Sequence, residues 1–123
     1  MDKQNVLIID DNTKNIQLAA NVLKTTNLYN IYFATSGEKG IEQLKNRKYA
    51  LILLDVNMPG LDGYKTAKII KNDALQKDTP IIFLTAYPNE SIKRKAMTIK
   101  PIAYLLKPIQ DEILQKEIKK ALG

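Results

Sequence analysis

The sequence predicts one α/β domain, a (βα)5 doubly wound sheet of five parallel strands. Short apolar runs of strand length alternate five times with segments of helical periodicity. Most of those runs are apolar throughout, as in strands covered on both faces. The 123 residues, 45% hydrophobic and 26% charged, match the composition of a single folded core. Strand–helix–strand order then implies right-handed crossovers, with helices on both faces of one sheet.

Val6 to Ile9 is a β-branched, wholly apolar first strand ending in Asp10-Asp11. Asn12 is placed to cap a helix whose Ile16, Ala19, Ala20 and Leu23 form one apolar stripe. Ile31 to Ala34 makes the second strand, and Ser36 caps a helix carrying Ile41 and Leu44. Leu51 to Leu54 is the third strand, ending at Asp55. The turn-rich stretch from Met58 to Gly63 follows, with Asp62 and Gly63 assigned to the turn and helix start. A helix with Ala67 and Ile70 leads to the strand Ile81–Leu84, which Pro80 introduces and Thr85 closes. Residues 90–98 read as a short helix. Ala103 to Leu106 is the fifth strand, closed by Lys107-Pro108, and Asp111 to Leu122 is a helix with Ile113, Leu114, Ile118 and Leu122 facing inward.

Composition narrows the chemistry. With no cysteine there is neither a disulfide nor a thiolate, and with no histidine there is neither an imidazole base nor an imidazole metal ligand. A metal held here must take oxygen ligands, which favours magnesium or calcium. The net charge of +6 is uneven: residues 91–123 hold eight Lys/Arg against three Asp/Glu. The rest of the chain is nearly balanced. No apolar run is long enough to span a bilayer, and the start lacks the pattern of a signal peptide, so a cytoplasmic protein is expected.

Asp10, Asp11, Asp55, Thr85 and Lys107 each fall at the C-terminal end of a predicted strand. In a parallel sheet those ends share the edge at which open α/β folds bind ligands. Three carboxylates meeting there repel one another unless a divalent cation sits among them, and Mg²⁺ suits an all-oxygen set. Asp55 could then attack a phosphoryl group, with the Lys107 ammonium and the Thr85 hydroxyl on the transferred oxygens. Simpler roles exist for each residue taken alone: helix capping for Asp10 and Asp11, a turn for Asp55, a strand end for Thr85, a solvated surface lysine for Lys107. Tyr104 reads as a partly buried aromatic. Convergence on one edge is what favours a site.

Four motifs resemble the receiver domain of two-component response regulators over essentially the whole chain. They are Val6-Leu-Ile-Ile-Asp-Asp-Asn12, Leu53-Leu-Asp-Val-Asn-Met-Pro-Gly-Leu-Asp-Gly63, Phe83-Leu-Thr-Ala86 and Tyr104-Leu-Leu-Lys-Pro108. The resemblance implies the flavodoxin-like, CheY-like strand order 2-1-3-4-5. It also implies that Asp55 accepts a phosphoryl group from a phosphohistidine of a sensor histidine kinase or histidine phosphotransfer protein. Asp10, Asp11, Asp55 and the backbone carbonyl of Asn57 would bind Mg²⁺, with Mn²⁺ as a substitute. Thr85 and Lys107 would contact the phosphoryl oxygens, and Tyr104 would turn inward as Thr85 moves toward the phosphate. By the same resemblance Asn57 and Tyr87 tune phosphate lifetime, and the Lys107-Pro108 peptide is a cis candidate. Lys100-Pro101 departs from the pattern, standing where the family usually carries Gly-Ala.

Other functions fit less well. A phosphatase of the haloacid-dehalogenase type needs a second acid two residues after the nucleophile, where this chain has Asn57. A flavin-mononucleotide protein of flavodoxin type would place phosphate where Asp10-Asp11 repel it. The alternative kept open is a pseudo-receiver, an interaction module that is not phosphorylated. Residues 1–123 are expected to form a single receiver domain with no output domain in the chain, acting as a phosphoacceptor rather than an enzyme on a separate substrate. The basic C-terminal quarter carries the face through which such domains signal, and it suits an acidic protein partner. Its lysines lack interleaved aromatics, which argues against direct nucleic-acid binding, and no membrane partner is expected.

Overall fold

The computed structural model describes residues 3–60, 62–86 and 90–123. Five strands alternate with five helices: β1 (Gln4–Ile9), α1 (Thr13–Lys24), β2 (Tyr29–Ala34), α2 (Gly37–Gln43), β3 (Leu51–Asp55), α3 (Gly63–Asn72), β4 (Ile81–Thr85), α4 (Glu90–Met97), β5 (Ala103–Leu106) and α5 (Asp111–Leu122). The sheet is parallel throughout, in the order β2-β1-β3-β4-β5.

The apolar character of the central strands follows from their position. Leu7, Ile9, Ile52, Leu54, Ile81 and Phe83 face one core, filled from α3 and α4 by Ala67, Ile70 and Ala96. The alternate residues Val6, Ile8, Leu51, Leu53, Ile82 and Leu84 face the other, filled from α1 and α5 by Ile16, Ala19, Leu23, Leu114 and Ile118. Both faces are covered, so no polar alternation survives in these strands. The edge strands are less protected, and Phe33 on β2 and Leu106 on β5 are exposed.

Capping sets where helices begin. Asn12 Oδ1 accepts from the N–H groups of Lys14 and Asn15, Ser36 Oγ from that of Lys39, and Asp62 Oδ1 from that of Lys65. The expected Ser36, Asn12 and Asp62 signals are thus real helix starts. One inward assignment is corrected: Ile113 is exposed, because the buried stripe of α5 runs through Leu114 and Ile118 and places Ile113 about 100° away around the helix. Leu122 is half-buried against the α1–α5 core.

The helix α4 ends in a turn at Lys100-Pro101. Lys100 takes φ +59°, the left-handed conformation that usually falls to glycine after a helix, and its N–H bonds the Met97 carbonyl at 3.0 Å.

Candidate functional site

Strand register decides which side chains meet. Ile9 is level with Leu54, so the next residues, Asp10 and Asp55, lie side by side on adjacent strands. Asp55 is level with Leu84 and Thr85 with Leu106, which brings Thr85 and then Lys107 to the same edge. The reversal of strand order between β1 and β3 opens the crevice there. A cleft of about 300 Å³ lies among Asp11, Asn12, Asn15, Asp55, Asn57, Ala86 and Lys107.

Asp10 and Asp55 are buried, whereas Asp11 is exposed at the cleft mouth. The three offer carboxylate oxygens that all lie within 4.8 Å of one another. Lys107 is not a solvated surface lysine: its Nζ is 2.7 Å from Asp10 Oδ2 and 3.4 Å from Asp55 Oδ2. The Lys107-Pro108 peptide that turns the chain here is cis. Short backbone bonds fix the carboxylates, with Asn12 N–H donating to Asp10 Oδ1 at 2.9 Å and Asn57 N–H to Asp55 Oδ1 at 3.1 Å. Burial and the neighbouring Asp10 charge push Asp55 up to about 7, while Lys107 and the Asn57 N–H pull it down. In the folded protein Asp55 therefore holds a proton more readily than an ordinary aspartate does.

Thr85 is fully buried, and its Oγ1 accepts from Asn57 Nδ2 at 2.6 Å. Tyr104 points into the α3–α4 side, its ring 6.2 Å from Phe83 and 5.8 Å from Lys93 Nζ. Burial raises its phenol above the ordinary value, and Thr85 lies near enough to temper the rise. Among the described residues the buried Tyr104 hydroxyl has no hydrogen-bond partner. Tyr87 lies outside the described residues.

Some contributors escaped the sequence reading. Gly63, read only as a helix start, touches the end of β3: a Cβ there would fall on the Asp55 carbonyl and within 2.6 Å of Val56 Cα. Its N–H donates to the Val56 carbonyl at 3.0 Å. Asn15 and Ala86 line the cleft as well, and their closeness in sequence to Asp11 and Thr85 was the available signal.

The strand order is that of the flavodoxin-like fold, with an acidic cluster at its switch point. The chain belongs to the response regulator receiver domain family, which matches residues 6–119, and is thus a receiver domain of two-component systems. It is similar to the transcriptional regulatory protein ZraR of Escherichia coli O157:H7, at 33% identity over 122 residues, 99% of this chain and 27% of that protein. The signal transduction histidine-protein kinase BarA of Escherichia coli strain K12 is 32% identical over 109 residues, 89% of this chain and 12% of the kinase. The chain thus spans about a quarter or less of these two relatives. Among solved structures it is similar to the Vibrio cholerae chemotaxis protein CheY4, with TM-score 0.89 and 26% identity over 98% of this chain and 100% of that one. Among the described residues no helix is long and apolar enough to cross a membrane.

Proposed function

We propose that Asp55 is the phosphoacceptor of a phosphorelay, taking its phosphoryl group from a phosphohistidine of a sensor histidine kinase or histidine phosphotransfer protein in the cytoplasm. The observation that carries this reading is the convergence of Asp10, Asp11, Asp55, Thr85 and Lys107, drawn from four strands, on one cleft edge. Nothing observed favours a receiver that works only as an unphosphorylated interaction module.

The Asn57 N–H engages Asp55 Oδ1 and leaves Oδ2 to attack phosphorus. A P–O bond to Oδ2 forms as the P–N bond to the donor imidazole breaks. The imidazole leaves with that electron pair and takes a proton from solvent. Lys107, already 3.4 Å from Oδ2, is placed to pair with the transferred oxygens, and the Thr85 hydroxyl to donate to another. The donors fit a hard divalent cation, since all are oxygens and two of the three carboxylates are buried. Asp10, Asp11, Asp55 and the Asn57 carbonyl would hold Mg²⁺, or Mn²⁺ in its place. When bound, the cation would neutralise the carboxylates and the charge that develops on the transferred oxygens.

Residues 1–123 act in this reading as one receiver unit. Movement of Thr85 and Tyr104 would be passed to the α4–β5–α5 elements, on which Met97, Ile102, Leu106 and Ile113 are exposed, as are Lys93, Arg94, Lys95, Lys116 and Lys120. Exposed apolar residues together with this excess of positive charge support an acidic downstream protein partner, its binding weakened by salt.

The test is incubation with acetyl phosphate and Mg²⁺. One acid-stable, base-labile phosphoryl group per chain is expected by intact mass, and none in Asp55→Asn. Equal incorporation in that variant, or none in the wild type, overturns the assignment.

A further inference from the structure

Charge is segregated along the strand axis. The cleft edge holds Asp10, Asp11 and Asp55, and the first turns of the helices that start there add Glu38, Glu90 and Asp111. At the opposite edge, where the strands begin, the loops 44–50, 73–80 and 98–102 carry Lys45, Arg47, Lys48, Lys77 and Lys100 against Asp73 and Asp78. Two of these cations have internal partners: Arg47 lies over the Tyr32 ring and donates to the Tyr49 hydroxyl, and Lys48 Nζ donates to the Leu75 carbonyl and the Thr79 hydroxyl. Lys45, Lys77 and Lys100 are exposed, and among the described residues their side chains make no hydrogen bond or ion pair. Lys77 and Lys100 also stand beyond the last turns of α3 and α4, whose dipoles Lys71 and Lys95 already complement.

The loops of this edge expose aliphatic side chains as well: Leu28 before β2, Leu75 before β4 and Ile102 before β5, at 57%, 45% and 41%. One exposed aliphatic is ordinary. Three on the same edge as uncommitted cations, spread across the sheet from β2 to β5 over about 19 Å, are a pattern. That spread provides no contiguous apolar core for a protein partner to pack against. Tyr49, the one aromatic of the loops 25–28, 44–50, 73–80 and 98–102, is buried, which leaves none to stack on nucleic-acid bases. A fluid bilayer needs neither feature. We propose that the N-terminal edge of the sheet docks on an anionic phospholipid surface, with Lys45, Lys77 and Lys100 among the headgroups and Leu28, Leu75 and Ile102 at the acyl boundary. The acidic cleft then faces away from the bilayer and stays open to a partner. The expectation of no membrane partner rested on the lack of a spanning segment, which a surface contact does not require.

The test is cosedimentation of the whole chain with vesicles of phosphatidylcholine, alone or mixed in equal parts with phosphatidylglycerol. Wild type is expected to bind only the mixed vesicles and to be released by salt. Lys45→Gln/Lys77→Gln/Lys100→Gln should weaken binding about a hundredfold, or about fivefold for each lysine. Lys14→Gln/Lys39→Gln/Lys65→Gln removes the same charge from the first turns of α1, α2 and α3 and should weaken it far less. Leu28→Ser/Ile102→Ser should weaken binding at every salt concentration. All the substituted side chains are exposed, and circular dichroism identifies any variant that fails to fold; Lys77→Gln alone then gives the comparison at about fivefold. Equal losses in the two triple variants, unchanged binding in Leu28→Ser/Ile102→Ser, equal binding to neutral vesicles, or capture of duplex DNA without capture of mixed vesicles overturns the proposal. No step needs a phosphodonor, so failure of Asp55 to take up phosphate would be seen separately.

Discussion

Lys107 Nζ sits 2.7 Å from Asp10 Oδ2, an ion pair between residues 97 positions apart that ties the end of the last strand to the end of the first. Asp10 is almost wholly buried and Lys107 nearly so. Truncating the lysine leaves a carboxylate out of water with no cation beside it, which costs more than the pair itself contributes.

Lys107→Met should therefore destabilise the metal-free protein by about 2 kcal/mol, the order of a lost charge-assisted hydrogen bond. Mg²⁺ should reduce the deficit by supplying the missing positive charge. Urea unfolding of both proteins, in chelator and in Mg²⁺, measures this; equal stability in chelator would contradict the pairing.

Stability should depend on pH through Asp55. Its folded-state value is raised to about 7 from an ordinary 3.8, so the folded protein keeps a proton that the unfolded chain releases. The stabilisation is complete below about pH 4 and is lost as pH rises through about 7. Metal-free protein should melt at a lower temperature at about pH 8 than at about pH 5, with Mg²⁺ raising the melting point more at the higher pH because it need not displace a proton there. A metal-free melting point that does not fall over this range would count against the proton assignment.

Gly63→Ala should cost about 3 kcal/mol, because the added methyl meets backbone rather than a flexible side chain. Displacement of the Asp55 carbonyl should also slow phosphorylation by acetyl phosphate. Denaturant midpoints and initial phosphorylation rates report the two effects separately.

Lys100→Gly should stabilise by about 1 kcal/mol, since Lys100 bears the cost of a left-handed backbone at φ +59°. Thermal melting checks the sign; a lower melting point would mean that entropy lost from the unfolded chain outweighs the relief.

Helix starts were legible in the sequence because capping acts within three residues: Asn12, Ser36 and Asp62 each bond N–H groups of the turn that follows. Strand identity was legible for a similar reason, as burial on both faces leaves wholly apolar runs such as Leu51–Leu54. Those runs placed Asp10, Asp55, Thr85 and Lys107 at strand ends before any coordinates, and parallel pairing makes strand ends neighbours. The face of a helix was less secure, as Ile113 shows, where two adjacent apolar residues compete and packing against β3 and α1 selects Leu114.

By itself, then, the sequence determined the alternation of elements, the parallel sheet and the acidic edge, all of which follow from local periodicity and from residue types at strand ends. Only the tertiary structure decided that Lys107 reaches Asp10, that Asn57 bonds Thr85, that Tyr104 lies inward and that Gly63 touches Asp55. Each of those contacts depends on the register of separate strands and the close approach of loops, quantities fixed by packing over distances that no local pattern in the chain records.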